Sequence, residues 1–352
     1  MGKDVIHDRY GRLYQIPLQL ARLGHEVLGL CADYHGAEEG EWLHDTSNGE
    51  LRWRSVRLRG SPVRLFRYPL DTLRELRKYK PDVVIAASDA PHIVMGVWLA
   101  RQLRVRFVAD LYDNFEGFSL TRLPGLVGLY RNAVARADAV TCTSEALAEH
   151  VRSNYGARGA VIAVPSTVDL SVFRPRDKLE CRARLGLPSD ARLVGTAGGL
   201  YVDRGISTLY EAFELLDSEL NVHLVLAGPF HGAHPPPARE RIHYLGELPH
   251  ERTAELFSAL DVGVIYLRNT VFGRYCFPQK AYEMLACGLP IVAAAVGAMP
   301  GLLAGTRDSL YPSDDASALA RCIAAQIAHS SRPDVVVEDW SQLVTRIEPL
   351  LH

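Results

Sequence analysis

Lys280 and Glu283 stand three residues apart in the run Pro278-Gln279-Lys280-Ala281-Tyr282-Glu283, which reads as a loop feeding a short helix. That spacing is close to one helical turn, so the cation and the carboxylate face the same side. A helix start presents backbone N–H groups and the positive end of its dipole, and Lys280 adds a full charge beside them. Together these make a place to hold a phosphate. Glu283, one turn on, is placed to accept hydrogen bonds from ribose hydroxyls. The same two residues also read as a solvated surface pair.

Other groups with chemical potential lie at similar junctions. Gly11 is flanked by Arg9 and Arg12, whose guanidinium groups offer charged donors to phosphate oxygens or simply lie on the surface. Asp113 and Glu116 follow the apolar run 106–112, at the kind of strand end where open α/β sheets bind ligands, although both would look the same as helix caps. His92 follows the preceding strand, and a lone histidine is more often structural. The apolar run from Leu193 leads into Gly198, Gly199 and Arg204. A dinucleotide fold is the rival reading there, but Gly195, Gly198 and Gly199 do not make G-x-G-x-x-G, and the next strand offers no acid for a ribose. His231 and His234 have metal-like spacing, but three prolines follow and no carboxylate completes a site, so a loop is expected.

The elements that must position these groups are legible as alternating strands and helices. Residues 26–31, 81–87, 106–112, 138–142, 160–164, 193–197, 222–227, 261–266 and 291–295 are apolar runs of strand length, most of them buried on both faces in character. Leu13, Ile16, Leu20 and Leu23 lie on one side of a helix closed by Gly24. Gly288 stops the helix that carries Lys280, and Pro290 prevents its resumption. The opening is unusual, because Asp4-Val5-Ile6-His7 offers only a stub where a doubly wound domain would begin with a full strand.

The Lys280 stretch resembles the donor-sugar motif of the family-4 retaining glycosyltransferases, E-G-F-G-x-x-x-x-E-A-M-A-x-G-x-P-V-V-A. Phe277, Glu283, Met284 or Leu285, Ala286, Gly288, Pro290 and the apolar strand match it. Tyr275 replaces the first glutamate, and Pro278, Lys280 and Glu283 fit the P-x-K-x-x-E form of a subset of the family. The resemblance covers nearly the whole chain. Residues 11–27 are similar to the family's first helix and second strand, and residues 138–145 to its A-D-x-V-x-x-x-S-E step. Pro165-Ser166-Thr167-Val168-Asp169 through Pro175 is similar to its interdomain connection P-N-G-V-D-x-x-x-F-x-P.

The resemblance implies an α/β GT-B fold, two Rossmann-like doubly wound domains facing each other across a cleft. Its acceptor-side domain would span residues 1–165, a linker 166–176 and a nucleotide-sugar-binding domain 177–333. Residues 334–352 would form a helix returning to the first domain. It further implies ribose contact for Glu283, phosphate contact for Gly11, Arg12, Gly198, Arg204 and Lys280, and nucleobase reading by the backbone near Leu245. Asp113 matches the acid beside the acceptor, with Tyr112 where a basic residue would stand, and Glu116 is a second candidate to orient the acceptor hydroxyl. Arg204 matches the pyrophosphate lysine of A-G-R-L-x-x-x-K-G, and Gly199 replaces its arginine, a loss that Lys280 or Arg274 would compensate.

The implied reaction moves a sugar from a nucleotide diphosphate donor to an acceptor hydroxyl with retention. Asp113, Arg204 and Lys280 are its catalytic candidates, with no metal and no cofactor beyond the donor as co-substrate. The departures at Tyr275, Gly199 and the sparse first loop also admit a non-catalytic nucleotide-sugar-binding partner. Neither G-x-x-x-x-G-K-[ST] nor G-x-S-x-G is present to support a triphosphatase or a serine hydrolase.

Composition sets the outer bounds. With 352 residues, 39 Lys and Arg against 41 Asp and Glu, and a net charge of −2, the chain suits two soluble domains and has no bulk attraction for nucleic acid. Six dispersed cysteines without a C-x-x-C pair read as reduced thiols of a cytosolic protein, and the N-terminus lacks the apolar core of a signal peptide. Residues 284–306 carry no charge over a span that could cross a bilayer, but four glycines and two prolines interrupt it and a strand explains it better. Residues 51–80 hold ten Lys or Arg against Asp71 and Glu75, interleaved with apolar side chains. That basic, amphipathic segment suggests an anionic membrane surface or a lipid-phosphate acceptor, with solvated faces as the plain alternative. A cytoplasmic protein, peripheral at the inner membrane face, is the expected setting.

Overall fold

A computed structural model describes residues 4–34, 36, 38–117, 121, 123–216, 221–232 and 234–352. Ala233, between His231 and His234 in sequence, lies outside the described residues. The chain divides into two units, Met1–Ser166 with Trp340–His352, and Thr167–Asp339.

The first unit carries two sheets. In one, β1 (Glu26–Asp33) pairs parallel with β3 (Glu50–Arg57), and β2 (Gly40–His44) pairs antiparallel with β3. The other is four parallel strands in sequence order, β4 (Val83–Ala86), β5 (Arg106–Leu111), β6 (Ala139–Cys142) and β7 (Ala160–Ala163). The opening stub is a helical turn, Val5–Asp8, because Asp4 Oδ1 caps it by accepting from the Ile6 and His7 N–H groups at 3.1 and 3.0 Å.

The helix Arg12–Arg22 buries two flanks, where the sequence pattern suggests one stripe. Ile16 and Leu20 pack with Trp340, Leu343 and Ile347 of the C-terminal segment, while Tyr14, Leu18 and Ala21 pack with Leu51 and Trp53 of β3. Leu23, expected on the buried side, is exposed. The C-terminal segment, a helix Trp340–Val344 and a 3-10 turn Glu348–Leu351, is also tied down by Arg106 Nε, which donates to the Leu350 carbonyl at 2.8 Å.

The second unit is a single six-stranded parallel sheet in the order β10-β9-β8-β11-β12-β13. The strands are β8 (Arg192–Ala197), β9 (Val222–Ala227), β10 (Ile242–Tyr244), β11 (Val262–Ile265), β12 (Ile291–Ala294) and β13 (Leu310–Tyr311). Chain order runs outward from β8 in one direction and then outward from β11 in the other, so the sheet's topological switch lies between β8 and β11. Ligands bind outside the carboxyl ends of strands at such a point. The uncharged stretch 284–306 holds the end of the helix Lys280–Ala286, β12 and the short helix Met299–Leu302, and among the described residues no helix is long and apolar enough to cross a membrane.

Residues 167–176, expected as a linker, pack within the second unit. Phe173 is fully buried with its ring 6.4 Å from that of Phe257, Val168 bridges to Asp339, and the Thr167 hydroxyl donates to the Glu338 carbonyl.

Candidate functional site

The switch point gathers a cation, two aromatic rings and two glycine turns. The chain leaves β8 at Gly198, whose φ of 104° favours glycine, and leaves β9 at Gly228, whose φ is 120°. A Cβ on Gly228 would lie 2.2 Å from the Gly198 carbonyl oxygen, so the two turns touch backbone to backbone. Gly198 donates its N–H to the Ala227 carbonyl at 3.0 Å, and Gly228 donates to Gly246 at 2.7 Å, which links β8, β9 and the turn after β10.

Lys280 enters this place from the helix Lys280–Ala286. Its ammonium lies 5.0 Å from the centroid of the Tyr266 ring, just beyond β11, and a Cβ on Gly198 would sit 3.4 Å from Nζ. Tyr266 is itself fixed by donating its hydroxyl to the Gly199 carbonyl at 2.7 Å. Burial pulls the Lys280 pKa down to about 8; the Glu283 carboxylate works the other way, and the Arg204 charge adds to the depression. Arg204 is near enough to be felt by Lys280, and its guanidinium is stacked 3.7 Å over the Phe272 ring, which holds the cation at the site. Glu283 is buried on the same short helix. The site therefore sets two cations, Lys280 and Arg204, beside one buried carboxylate at the switch point.

The helix end contributes less than its position in the sequence suggests. Ala281 and Tyr282 donate to the carbonyls of Pro278 and Gln279 at 2.8 and 3.0 Å, and Glu283 donates to Gln279 at 3.2 Å. These three N–H groups are consumed by the turn itself, which leaves the Lys280 side chain as the cationic group of this helix start. Leu245 similarly donates its N–H to Leu226 at 2.9 Å, and the Gly246 carbonyl is taken by Gly228.

Arg12, expected beside a phosphate, is bonded inside the first unit. Its Nε donates to both Asp110 oxygens at 2.9 and 3.0 Å, its Nη2 to Asp110 Oδ1 at 2.5 Å and its Nη1 to the Val164 carbonyl, all buried. Thr141 Oγ1 donates to the same carboxylate at 2.5 Å. The guanidinium ties the first helix to β5 and to Val164 just past β7, and Thr141 of β6 shares its carboxylate partner, so its charge is already answered by a buried acid. Gly11 keeps the strained backbone, φ 77°, and its carbonyl accepts from Tyr14 and Gln15.

Asp113 is buried just past the end of β5, and its Oδ1 accepts from the Asn114 N–H at 2.7 Å. Tyr112 beside it has a phenol pushed up to about 12, first by burial and then by the Asp113 charge. Glu116 is held by Arg131 in a two-bond pair at 2.6 and 2.9 Å, which favours a structural role. His92 is structural too: Asp89 caps the helix Ala90–Leu103 by accepting from the His92 N–H at 3.1 Å and pairs with its ring Nδ1 at 2.6 Å.

Sequence reasoning missed Tyr266, Phe272 and Gly228. Each is apolar or small and lies at a strand end or in a short helix, so only the three-dimensional meeting of the turns reveals it. Among the described residues no group of three or more His, Cys, Asp or Glu is arranged to hold a metal.

The profile described as Glycosyltransferase Family 4 matches residues 13–172, and that described as Glycosyl transferases group 1 matches residues 191–329. A D-inositol 3-phosphate glycosyltransferase 1 of Catenulispora acidiphila is 32% identical over a region covering 74% of this chain and 69% of that one. The chain belongs to the family-4 glycosyltransferases. A D-inositol 3-phosphate glycosyltransferase of Stackebrandtia nassauensis is also 32% identical, over 62% of this family-4 chain and 51% of its own length, so the chain spans about half of that relative.

Among solved structures, sucrose-phosphate synthase from Thermosynechococcus elongatus matches with a TM-score of 0.69 at 21% identity, covering 96% of this chain and 88% of that one. HepE from Anabaena in complex with UDP-glucose matches with a TM-score of 0.64 at 18% identity, covering 85% and 81%. The fold of this glycosyltransferase-family chain is accordingly the two-domain α/β GT-B fold.

Proposed function

We propose that this protein transfers a sugar from a nucleotide diphosphate donor to an acceptor hydroxyl with retention of configuration. The observation that carries the reading is Lys280 lying over Tyr266 beside Gly198, with Arg204 near by, at the switch point of the second unit's sheet. The leaving group of such a transfer is a pyrophosphate that gains charge as the glycosidic bond breaks. Two half-buried cations, Lys280 and Arg204, stabilise that charge more in the transition state than in the ground state. Glu283 accepts from the ribose, and the Leu245 carbonyl faces the base. Asp113 orients the acceptor hydroxyl, and a donor phosphate oxygen takes its proton. Lys280 and Arg204 supply the charge that a metal would otherwise bring, so the reading calls for none.

The acceptor class fits a saccharide or a lipid-linked intermediate of cell-envelope polysaccharide synthesis. The relatives named for inositol phosphate and the UDP-glucose complex of HepE support a phosphorylated or carbohydrate acceptor and a uridine donor. The rival, a non-catalytic nucleotide-sugar-binding partner, is favoured by one observation: Arg12 is committed to Asp110, which takes one of the two arginines flanking Gly11 away from a phosphate.

Thermal stabilisation by UDP, GDP and ADP tests the donor site in the wild type and in Glu283→Ala. A nucleotide at about a hundred times its dissociation constant adds about 2.7 kcal/mol, a visible shift. One nucleotide should stabilise the wild type and lose the effect in the variant. Turnover of the matching sugar nucleotide, abolished by Glu283→Ala, would rule out the binding-partner reading; stabilisation by none of the three would sink the donor site.

A further inference from the structure

The helix Pro62–Tyr79 in the first unit packs on one side only. Tyr68, Thr72, Leu73 and Leu76 are buried, and Leu73 and Leu76 join Leu99 in a small core. On the opposite side Val63, Phe66 and Leu70 fall at i, i+3 and i+7 and form one stripe, exposed by 64, 81 and 51%. Scattered exposed apolar residues are ordinary, but a contiguous stripe including a nearly naked phenylalanine is a surface with an occupant.

The charge around the stripe identifies that occupant. The helix carries five cations against two carboxylates, Asp71 and Glu75. Asp71 already faces Arg74 at 2.7 Å and Arg67 at 3.6 Å, and Glu75 pairs with Arg54 of β3. The two acids are neutralised within the unit, and Arg77, Lys78 and the neighbouring Lys80 add surplus positive charge in a protein of net charge −2. A second copy laid on this face in a two-fold contact would set the same cations against one another. A nucleic acid would answer the cations and leave the apolar stripe in water. An anionic lipid surface answers both, since its phosphates pair with the flanking cations while its acyl boundary takes the apolar stripe.

We propose that the helix Pro62–Tyr79 is an interfacial membrane-docking element, lying in the plane of an anionic bilayer with Phe66 as its deepest anchor. At 1.5 Å per residue it is about 27 Å long, enough to lie along the surface and orient the first unit on it. This goes beyond the glycosyl-transfer reading and does not depend on it, since neither the helix nor its stripe belongs to the donor site.

Sedimentation with vesicles of phosphatidylcholine alone, and of phosphatidylcholine with phosphatidylglycerol, tests the proposal at low and high salt. Binding is expected to the anionic vesicles only, and to fall steeply as salt rises. Phe66→Ser and the pair Arg77→Glu with Lys78→Glu should each weaken binding by about tenfold or more while leaving the melting temperature and the nucleotide-induced shift unchanged. Phe66→Trp should show a vesicle-induced blue shift in emission beyond that of the native tryptophans. Absence of wild-type binding to anionic vesicles at low salt overturns the proposal, as does undiminished binding by Phe66→Ser. A dimer in sedimentation velocity that Phe66→Ser dissolves would assign the face to a second copy instead.

Discussion

The Lys280 ammonium rests 5.0 Å from the centroid of the Tyr266 ring, so the cation of the donor motif is held against an aromatic face as well as within the field of Glu283. A ring attracts the charge without neutralising it. Burial dominates the titration and lowers the Lys280 pKa to about 8. An arriving pyrophosphate favours the protonated form and raises that value again. Nucleotide affinity should therefore be level below about pH 7.5 and decline as pH rises through 8, with up to one proton taken up on binding at pH 8 to 9. Calorimetry in buffers of different ionisation enthalpy reads that uptake. Lys280→Met should bind at least tenfold more weakly at pH 7 and lose the pH dependence; a variant that keeps the same slope would move the titrating group elsewhere.

Arg12 is predicted to be a stability residue. Its replacement leaves Asp110 buried with the neutral Thr141 hydroxyl against it, and breaking a buried pair from one side costs about 3–5 kcal/mol. Arg12→Leu should thus lower the denaturation midpoint sharply. The double change Arg12→Leu with Asp110→Leu should recover much of the loss, because no charge is then stranded. A phosphate-binding Arg12 would give the reverse pattern, a nearly unchanged midpoint with weakened nucleotide binding.

The parallel strands, the Gly288 stop and the placement of Lys280 and Glu283 on one short helix were legible because they rest on local pattern: apolar runs, helix breakers and three-residue spacing. The fate of Arg12 was not. Its partners Asp110, Thr141 and Val164 are distant in sequence, and an arginine beside a glycine looks the same whether it faces solvent or a buried acid. The N–H groups at the start of the Lys280 helix were misread for a related reason, since a tight turn through Pro278 and Gln279 uses them. The basic character of residues 51–80 was plain, but which of its apolar residues point outward depends on how Leu73 and Leu76 find Leu99.

Gly228 should tolerate no side chain. At φ 120° any L residue is strained, and the added Cβ would meet the Gly198 carbonyl, a backbone atom that cannot swing away. Gly228→Ala is expected to cost about 1–3 kcal/mol of stability and to push apart the two turns that frame the Lys280 ammonium. Gly232→Ala, where an added Cβ meets nothing within 4 Å, is the matched control and should change the melting temperature little. Nucleotide binding measured on both variants at a temperature where each is folded should fall for the first alone.

Asp261 predicts where the second unit becomes acid-sensitive. Burial works to raise its carboxyl, but the Lys178 hydrogen bond at 2.8 Å, the Leu193 N–H at 2.7 Å and the charges of Lys178 and Arg182 outweigh it and hold the pKa below the ordinary aspartate value. The unfolded chain then takes up a proton more readily than the folded one. The stabilisation is complete above the unfolded value of about 3.9 and is lost as pH falls from there through the lower folded value. Arg182 also donates to the carbonyls of Ala259, Ser189 and Ala191, so the Asp261 carboxylate anchors the helix Lys178–Leu185 to β8 and the turn before β11. Asp261→Asn should lower the melting temperature at pH 7 and flatten its decline between pH 5 and 3. If the variant instead loses stability in parallel with the wild type across that range, the acid response belongs to other carboxylates and Asp261 contributes only its shape.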